Sequence, residues 1–369
     1  FVLQLIQATH KLRFYASMLL TRQITVVLLL GSFFSFPLFG EINIKKIIYI
    51  ESLSYALIFL LAIVYLARNL RIKFNWRKTT INHSTVLRIF NYSCPVFIIV
   101  TLGYCVLWLD NWMIRSSLGF TAVGEYESAN KLIQFTSNII MPLGIIFFPL
   151  MVAFRHSGYN DLIRTFAAKI VPQICLLWGM ALGGITIFSE PLFVIFFGEK
   201  FTHGLLPFQI LMTGVSFQIL SVLHTGIIQS HDQTIQQAIN TAFCVLINIL
   251  LNLLLIPTWG ITGVAISKTC TLIACGLLYA RTSLHCLGQP GHKFFVYWFL
   301  AVPLITLAGQ KSTGNIFWGV ILYLLLVVYG IIVSKKREVF SKDSYLFWEK
   351  ITMPKPVRAC FKNLFNLLS

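Results

Sequence analysis

The chain has 369 residues, of which 57% are hydrophobic, 14% are aromatic and only 11% are charged. Soluble globular domains carry about 25% charged residues, so this composition excludes an ordinary soluble protein, and its richness in apolar side chains excludes a disordered one. The 29 Lys and Arg against 12 Asp and Glu give a formal charge of +17. Such an excess of positive charge is typical of proteins that bind nucleic acid or acidic lipid, and of membrane proteins whose loops on one side of the bilayer are basic.

Apolar stretches long enough to cross a bilayer recur along the whole chain. A spanning α-helix needs about 20 mostly apolar residues, and these runs are too long and unbroken for the alternating strands of a membrane barrel. Ten spans are predicted in chain order: 18–40, 47–67, 92–114, 131–153, 166–188, 206–228, 238–257, 261–281, 294–309 and 316–334. Backbone groups in lipid must be paired within their own segment. We therefore predict an all-α, polytopic transmembrane helix bundle.

The basic residues lie mostly in alternate loops. If the residues before the first span are cytoplasmic, 22 of the 29 basic side chains fall on the cytoplasmic side, six fall on the other side, and Lys268 lies within a span. This is the bias that the positive-inside rule describes, so both ends of the chain are predicted to face the cytoplasm. Nucleic acid is not an expected partner, because no binding module organises these charges.

The eight cysteines lie mostly within the spans. They form no Cys-x-x-Cys pair and show no Cys/His spacing typical of metal ligands. We predict free thiols that pack as small apolar residues. No resident metal or other cofactor is expected.

The first residues resemble the end of another helix. Residue 1 is Phe rather than Met, and the features of a signal peptide are missing. The segment Leu5–Ala8 is similar to Ile227–Ser230, and each is followed by a polar turn and a new apolar helix. Helical transporters are often built from repeated halves. The match predicts an internal repeat, with about four helices of the first half missing from the sequence.

Several short motifs between residues 85 and 285 resemble polysaccharide repeat-unit flippases. The family pattern is an aspartate that ends a helix, then a Gly, then Val-Gly-x-Tyr and Ala-x-Lys. The matching segments here are Asp110, Gly119, Val123–Tyr126 and Ala129–Lys131, together with Asn91–Pro95, Phe197–Phe201 and Asn248–Ala265. In combination these motifs are specific.

The resemblance implies the multidrug/oligosaccharidyl-lipid/polysaccharide exporter superfamily, in which two six-helix lobes surround a central cavity. On that plan most of the first lobe is missing. The implied parts are a remnant of the N-terminal lobe (1–67), a basic cytoplasmic linker (68–91), the C-terminal six-helix lobe (92–281), two extra helices (282–334) and a basic cytoplasmic tail (335–369). One departure is the turn 231–233, which carries no Lys or Arg although it is placed inside.

The implied activity is the flipping of undecaprenyl-pyrophosphate-linked oligosaccharide repeat units across the bacterial inner membrane by alternating access. The products would be O-antigen, lipopolysaccharide or capsule. The implied partners are that lipid-linked oligosaccharide, membrane lipids and the polysaccharide polymerase machinery.

Two other functions are alternatives to a lipid-linked oligosaccharide flippase. A cation-coupled multidrug extruder of the same superfamily would exchange drug for Na⁺ or H⁺ at a cavity carboxylate, but Glu51, Asp110 and Glu190 all lie near predicted span ends. A membrane glycosyltransferase or polymerase is opposed by the short outer loops and by the lack of paired carboxylates, Asp-x-Asp or a nucleotide-binding glycine loop. The chain is therefore expected not to be an enzyme.

Lys268 is the leading candidate for contact with the substrate. It lies near mid-depth in its predicted span, where an isolated charge costs several kcal/mol. One interpretation is a cavity cation that binds pyrophosphate, and the other is a lysine paired with a carboxylate or carbonyls to hold helices together. Full loss of transport in Lys268→Ala, with partial activity in Lys268→Arg, would be expected from the first.

The remaining candidates are polar residues in or near spans. Asn240, Asn248 and Asn252 share one helix face and would either meet sugar hydroxyls or form interhelical hydrogen bonds. Asp110 is a candidate cation or proton site, and its spacing from Arg115 disfavours a direct pair. Lys131 is at the position of the family's lysine, but its spacing from Glu127 is also typical of a surface ion pair.

His224 and Arg22 are predicted to lie at the membrane interface. Prolines 95, 142, 149 and 172 are predicted to kink their helices.

Overall fold

A computed structural model describes residues 83–288, 297–314 and 316–336, with isolated helical positions at 52, 56, 59, 60 and 64. The chain divides into two units, Phe1–Asn82 and His83–Ser369, and the description below concerns the second. The predicted span 18–40, most of the span 47–67, Arg22 and nearly all of the tail 335–369 lie outside the described residues.

Helices account for almost all of the described residues, and no strand occurs among them. In chain order they are α1 His83–Leu118, α2 Phe120–His156, α3 Asn160–Thr165, α4 Val171–Ile187, α5 Ser189–Phe197, α6 Leu205–Ser230, α7 Thr234–Cys286, α8 Val302–Thr313 and α9 Ile316–Lys336. A π-helical turn, Phe166–Ile170, joins α3 to α4, and a 3₁₀ turn, Glu199–Gly204, precedes α6. The prediction of an all-α bundle is confirmed.

Six helical stretches in the described part are long and apolar enough to cross a membrane. They are Ile89–Leu118, Phe120–His156, Asn160–Ile187, Glu199–Ser230, Thr234–Cys286 and Ile316–Lys335. The fifth has 53 residues, which is about twice the length that one crossing requires. The six stretches coincide with seven of the predicted spans, so the predicted count of about ten is only roughly matched.

Helix α7 is a hairpin of two antiparallel arms, residues 234–259 and 261–286. The chain reverses at Gly260, whose φ of 57° and ψ of −136° are outside the helical region. An added Cβ at Gly263 would lie 2.4 Å from the carbonyl oxygen of Leu255, so the arms are in close contact beside the turn. Side-chain hydrogen bonds join the arms at Asn248–Ser267, Thr241–Tyr279 and Asn240–Thr282. The predicted spans 238–257 and 261–281 are therefore these two arms.

The predicted span 294–309 is described only from residue 297 onward, and its crossing of the membrane stays a prediction. Residues 297–301 form a 3₁₀ turn, and α8 begins only at Val302 and ends where Gly314 takes a left-handed conformation. The 12 residues of α8 extend about 18 Å, and the 3₁₀ residues directly before it add about 10 Å. The apolar composition of this stretch reflects packing of α8 against α4, α6 and α9.

Helix α6 lies at the centre of the bundle, between α2, α4 and the hairpin α7. Leu211, Val215, Ile219 and Leu223 recur every four residues on one face and are fully buried, as expected for the core stripe of a helix. Helix α1 packs against α7 and α2 but leaves most of its surface exposed. The polar residues described next lie where α1, α2 and α7 meet.

The prolines have different places in these helices. Pro95 lies within α1, Pro142 and Pro149 lie within α2, and Pro172 is in the first turn of α4, directly after the π-helical turn. A π turn and a proline both interrupt the regular ladder of backbone hydrogen bonds. A role for these positions in rocking motions stays a prediction.

Candidate functional site

Lys268 forms a buried ion pair with Asp110. Lys268 lies about two helical turns beyond Gly260 on the second arm of α7, and it is 7% exposed. Its Nζ is 3.5 Å from Oδ2 of Asp110, donates a 3.1 Å hydrogen bond to Oδ1 of Asn130, and lies 5.8 Å from the ring centre of Tyr126. The ammonium group is thus held by α1 and α2 as well as by its own helix.

Asp110 is held on its other side by two asparagines of the first arm. Asn252 donates a 2.8 Å hydrogen bond through Nδ2 to Oδ1 of Asp110, and the same Nδ2 is 3.4 Å from Oδ1 of Asn248. Ser267 donates to the backbone carbonyl of Asn248 at 2.9 Å. The carboxylate therefore connects α1 to both arms of the hairpin.

A second branch of the network runs through Asn130 to Glu127. Asn130 donates to Oε1 of Glu127 at 3.1 Å, and Asn111 donates to the same oxygen at 2.9 Å. The predicted ion pair between Glu127 and Lys131 is wrong, because this carboxylate faces α1 and no such pair occurs among the described residues. Lys131 itself is exposed, one residue along the helix and so about 100° away from Asn130.

Regular helical spacing explains how the network is assembled. Asn248 and Asn252 are four residues apart, and Glu127 and Asn130 are three apart, so each pair lies on one helix face. The turn at Gly260 folds the second arm back, which places Lys268 opposite the first arm. Four helical segments that are distant in sequence thereby meet at one polar centre.

The Asp110–Lys268 pair is neutral as a unit, which makes its position inside a membrane-spanning bundle tolerable. A single buried charge in this environment costs several kcal/mol, and removal of one partner of a buried pair typically costs about 3–5 kcal/mol. Asn252 donates to Oδ1 of Asp110 and Lys268 donates to Asn130, whereas Oδ2 of Asp110 has no hydrogen-bond partner and is held only by the charge of Lys268 at 3.5 Å. The pair is therefore stable only as long as both charges are present.

Lys268 and Asn130 also line a cavity of about 450 Å³ inside the bundle. Its wall is formed by α1, α2, α6 and both arms of α7. The polar residues on the wall are Asn130, Gln134, Ser137, Asn138, Gln218, Thr241, Lys268 and Thr271. Ser137 donates a 2.9 Å hydrogen bond to Oε1 of Gln218 across the cavity wall. Hydrogen-bonding groups of this kind match a ligand that carries hydroxyl groups.

The structure brings together four of the five candidates from the sequence. Asp110, Asn248, Asn252 and Lys268 form one network, whereas Lys131 lies apart from it. Asp110 was expected at the outer end of a span, but α1 continues to Leu118, so the carboxylate lies about two turns inside the helix and is 1% exposed. Asn248 and Asn252 hold this carboxylate and do not contribute to the cavity wall.

Sequence reasoning missed Asn111, Glu127 and Asn130 as members of the network. Asn130 lies within the motif Ala129–Lys131, in which Lys131 is the charged residue. Arg115, which was not expected to pair with Asp110, lies over the ring of Phe120 at 4.4 Å. The spacing of three residues between Glu127 and Asn130, which places both on one helix face, was the available signal.

His224 is buried inside the bundle rather than exposed on its helix, and its predicted depth at the membrane interface stays a prediction. Its Nδ1 is 2.9 Å from Oγ of Ser283, and its Nε2 is 3.3 Å from the hydroxyl of Tyr297. The imidazole therefore joins α6 to the second arm of α7 and to the turn before α8. Its helix face points into the bundle, which the sequence alone did not reveal.

The cysteines agree with the prediction of free thiols. All seven that the described ranges contain are free, and Cys360 lies outside these ranges. Within the described part of the chain, no group of three His, Cys, Asp or Glu side chains has an arrangement that could hold a metal ion.

Two curated proteins are similar to part of this chain. The probable low-salt glycan biosynthesis flippase Agl15 of Haloferax volcanii is 26% identical over 193 residues, which are 52% of this chain and 41% of that protein. An uncharacterized membrane protein of Methanocaldococcus jannaschii is 23% identical over 228 residues, or 59% of this chain and 44% of that protein. The chain thus spans less than half the length of these relatives. No protein-family profile matches it.

The similarities agree with the fold. The six apolar helices of the described part and the two relatives indicate a multi-pass membrane protein. This chain is a multi-pass α-helical membrane protein with similarity to a glycan biosynthesis flippase.

Proposed function

We propose that this chain forms part of a transporter that moves lipid-linked glycans between the leaflets of a membrane by alternating access. The observation that carries the proposal is the Asp110–Lys268 pair beside a cavity whose largely apolar wall also carries several hydrogen-bonding side chains. The named relative adds independent support, because its name describes a flippase of glycan biosynthesis.

In this proposal Lys268 binds a phosphate of the carrier lipid. An entering pyrophosphate competes with Asp110 for the ammonium group, which already lines the cavity. Gln134, Ser137 and Gln218 offer hydrogen bonds to the hydroxyl groups of the sugar. Lys131, which is exposed on α2 outside this cavity, offers a second cation to the anionic head group before it enters.

Asn248 and Asn252 have a supporting role in the proposed cycle. When Lys268 turns toward a phosphate, the carboxylate of Asp110 loses its partner, and the amide of Asn252 continues to hold it. A Na⁺ ion or a proton would then neutralise Asp110, which gives this residue a role in energy coupling. Each exchange leaves the site without a large uncompensated charge, as the low dielectric requires.

The finer features of the proposal concern the substrate and the membrane. The substrate is an undecaprenyl-pyrophosphate-linked oligosaccharide repeat unit, destined for O-antigen, lipopolysaccharide or capsule. The transporter lies in the bacterial inner membrane with both ends of this chain in the cytoplasm, and it delivers the unit to a polysaccharide polymerase. These features rest on the sequence motifs and on the distribution of positive charge.

A cation-coupled multidrug extruder is the less favoured function. Asp110 lies inside the membrane, so the lack of an intramembrane carboxylate no longer argues against it. However, Lys268 neutralises this carboxylate, and a fixed ammonium group repels the cationic drugs that such a site would attract.

Complementation of a flippase-deficient strain tests the proposal. The full-length gene should restore surface polysaccharide, and Lys268→Ala should not restore it although the protein still inserts. Lys311→Ala, at an exposed position in the last turn of α8, is the control and should complement fully. Failure of the full-length wild-type protein to restore polysaccharide, when it is present at normal levels in the membrane, would overturn the proposed function.

A further inference from the structure

A second polar pocket lies at the end of the hairpin α7, away from the Asp110–Lys268 pair. It has a volume of about 380 Å³, within the range of roughly 300–1,000 Å³ typical of small-molecule sites. Its polar wall consists of Gln233, Gln236, Asn240, Arg281, Thr282 and His285. We name it the Arg281 pocket.

The two arms present their polar groups to this pocket by regular helical spacing. Arg281 and His285 are four residues apart on the second arm, and Gln236 and Asn240 are four apart on the first, so each pair shares one face. Gln236 donates to Oδ1 of Asn240 at 3.2 Å, and Asn240 donates to Oγ1 of Thr282 at 2.8 Å. Because Thr282 accepts this bond, its own hydroxyl hydrogen is available to a ligand.

The charge in the pocket is positive and uncompensated. None of the described residues that line it is acidic, and no described carboxylate forms an ion pair with Arg281. A guanidinium group has five N–H donors in a planar fork that fits two oxygens of a phosphate. A basic residue that served only to orient the protein would have no need of a wall of amides and hydroxyls around it.

We propose that the Arg281 pocket binds the phosphate or pyrophosphate group of a lipid-linked glycan before this group reaches Lys268. This inference deepens the proposed function and rests on it. Arg281 binds the phosphoryl oxygens, His285 contributes a further hydrogen bond, and Gln236 and Thr282 contact the first sugar.

The hairpin connects the pocket to the cavity. Arg281 and Lys268 are 13 positions apart on the same arm, or about 20 Å along a helix. Between them lie Thr241, whose hydroxyl is 2.7 Å from that of Tyr279, and Thr271 on the cavity wall. At 100° per residue the two cations lie about 140° apart around the arm, so a phosphoryl group would move around α7 as well as along it.

Binding to purified full-length protein in lipid nanodiscs tests the proposal without any transport step. The probes are farnesyl pyrophosphate, inorganic pyrophosphate and phosphatidylglycerol, and the readout is the Kd of labelled farnesyl pyrophosphate. Arg281→Gln should weaken its binding by roughly tenfold or more, the usual effect of losing a hydrogen bond to a charged group. Arg281→Lys should lose less, because the charge remains.

Arg164→Gln is the matched control. Arg164 is also exposed, and its guanidinium is 3.6 Å from Asp161 near the start of α3, so its loss should leave the Kd unchanged. Inorganic pyrophosphate should compete with the labelled probe, whereas phosphatidylglycerol should not. Because Arg281 is exposed, the variant should keep the thermal stability of the wild type.

Three results would overturn the inference: equal binding by wild type and Arg281→Gln, competition by phosphatidylglycerol as strong as that by pyrophosphate, or no competition by pyrophosphate. The first places the probe elsewhere, the second indicates a general lipid site, and the third indicates recognition of the prenyl chain. Transport by the wild type together with any of these results would overturn the pocket alone. Arg281-dependent binding without transport would overturn the proposed function alone.

Discussion

Neutralising both members of the Asp110–Lys268 pair separates its structural role from its transport role. Lys268→Gln alone leaves the Asp110 carboxylate buried beside Asn252 without a charged partner, and Asp110→Asn alone leaves the ammonium group in the same position. Each single variant should lose about 3–5 kcal/mol of stability, the usual cost of breaking a buried ion pair. The double variant keeps two amides of similar size, which can hydrogen-bond to each other, and should recover most of this loss.

The expected shift in unfolding temperature follows from these values. For a unit of this size 1 kcal/mol corresponds to roughly 2–4 °C, so each single variant should unfold about 6–20 °C below the wild type. The double variant should unfold within a few degrees of the wild type. Thermal unfolding in detergent, followed by tryptophan fluorescence, measures all four proteins under one set of conditions.

Transport by the same four proteins then tests the charge itself. The double variant should be folded but inactive in moving a lipid-linked glycan, since it has no cation for the pyrophosphate. If it transports at the wild-type rate, Lys268 only holds the helices together and the proposed role in phosphate binding is refuted. If the single variants are as stable as the wild type, the energetic account of the ion pair is refuted.

Four further results are expected from the rest of the structure. Gly260→Ala should lower stability by about 1–3 kcal/mol, because its backbone conformation is strained for any other residue, and an unchanged unfolding temperature would contradict this. Gly263→Val should prevent stable folding, because the added Cβ would lie 2.4 Å from the carbonyl oxygen of Leu255. Normal amounts of folded protein after size-exclusion chromatography would argue against the hairpin. His224→Phe should cost about 1–3 kcal/mol through the hydrogen-bonding groups it leaves buried, whereas a variant as resistant to urea as the wild type would rule out the role of this imidazole. Burial lowers the pKa of His231, and the nearby Arg155 lowers it further, against the opposing effect of the hydrogen bond to the Ile227 carbonyl. The unfolded state therefore binds more protons than the folded state at mildly acid pH. The free energy of unfolding should fall as the pH drops below about 6.5. His231→Gln should reduce that pH dependence, and equal pH profiles for both proteins would count against it.

The helices themselves follow from the sequence because lipid imposes a simple rule. Uncharged runs of about 20 residues have no other stable form in a bilayer, and seven predicted spans coincide with helices of the described part. The stretch 294–309 is equally apolar, but its described part is a 3₁₀ turn followed by the short helix α8, which packs against α4, α6 and α9. Composition alone does not distinguish these two environments.

The members of the site were harder to obtain than the helices. Lys268 and Asp110 are conspicuous because charge inside a membrane is expensive, and Asn248 and Asn252 share a helix face that the sequence displays. Their contacts depend on the reversal at Gly260 and on the packing of α1 against α7, which are tertiary features. Lys131 shows how little the sequence alone says about which side chain faces the network. It is exposed, whereas its neighbour Asn130, one residue earlier on the same helix, lies at the centre of the network.

Leaflet transfer of a lipid-linked oligosaccharide in proteoliposomes tests the central claim most directly. The full-length protein is reconstituted with a fluorescent lipid-linked oligosaccharide, and a membrane-impermeant reductant quenches only the outer leaflet. The account predicts that wild-type protein makes the protected inner-leaflet fraction accessible, and that the folded Asp110→Asn/Lys268→Gln double variant does not. A protected fraction that remains the same with wild-type protein as in empty liposomes would contradict it.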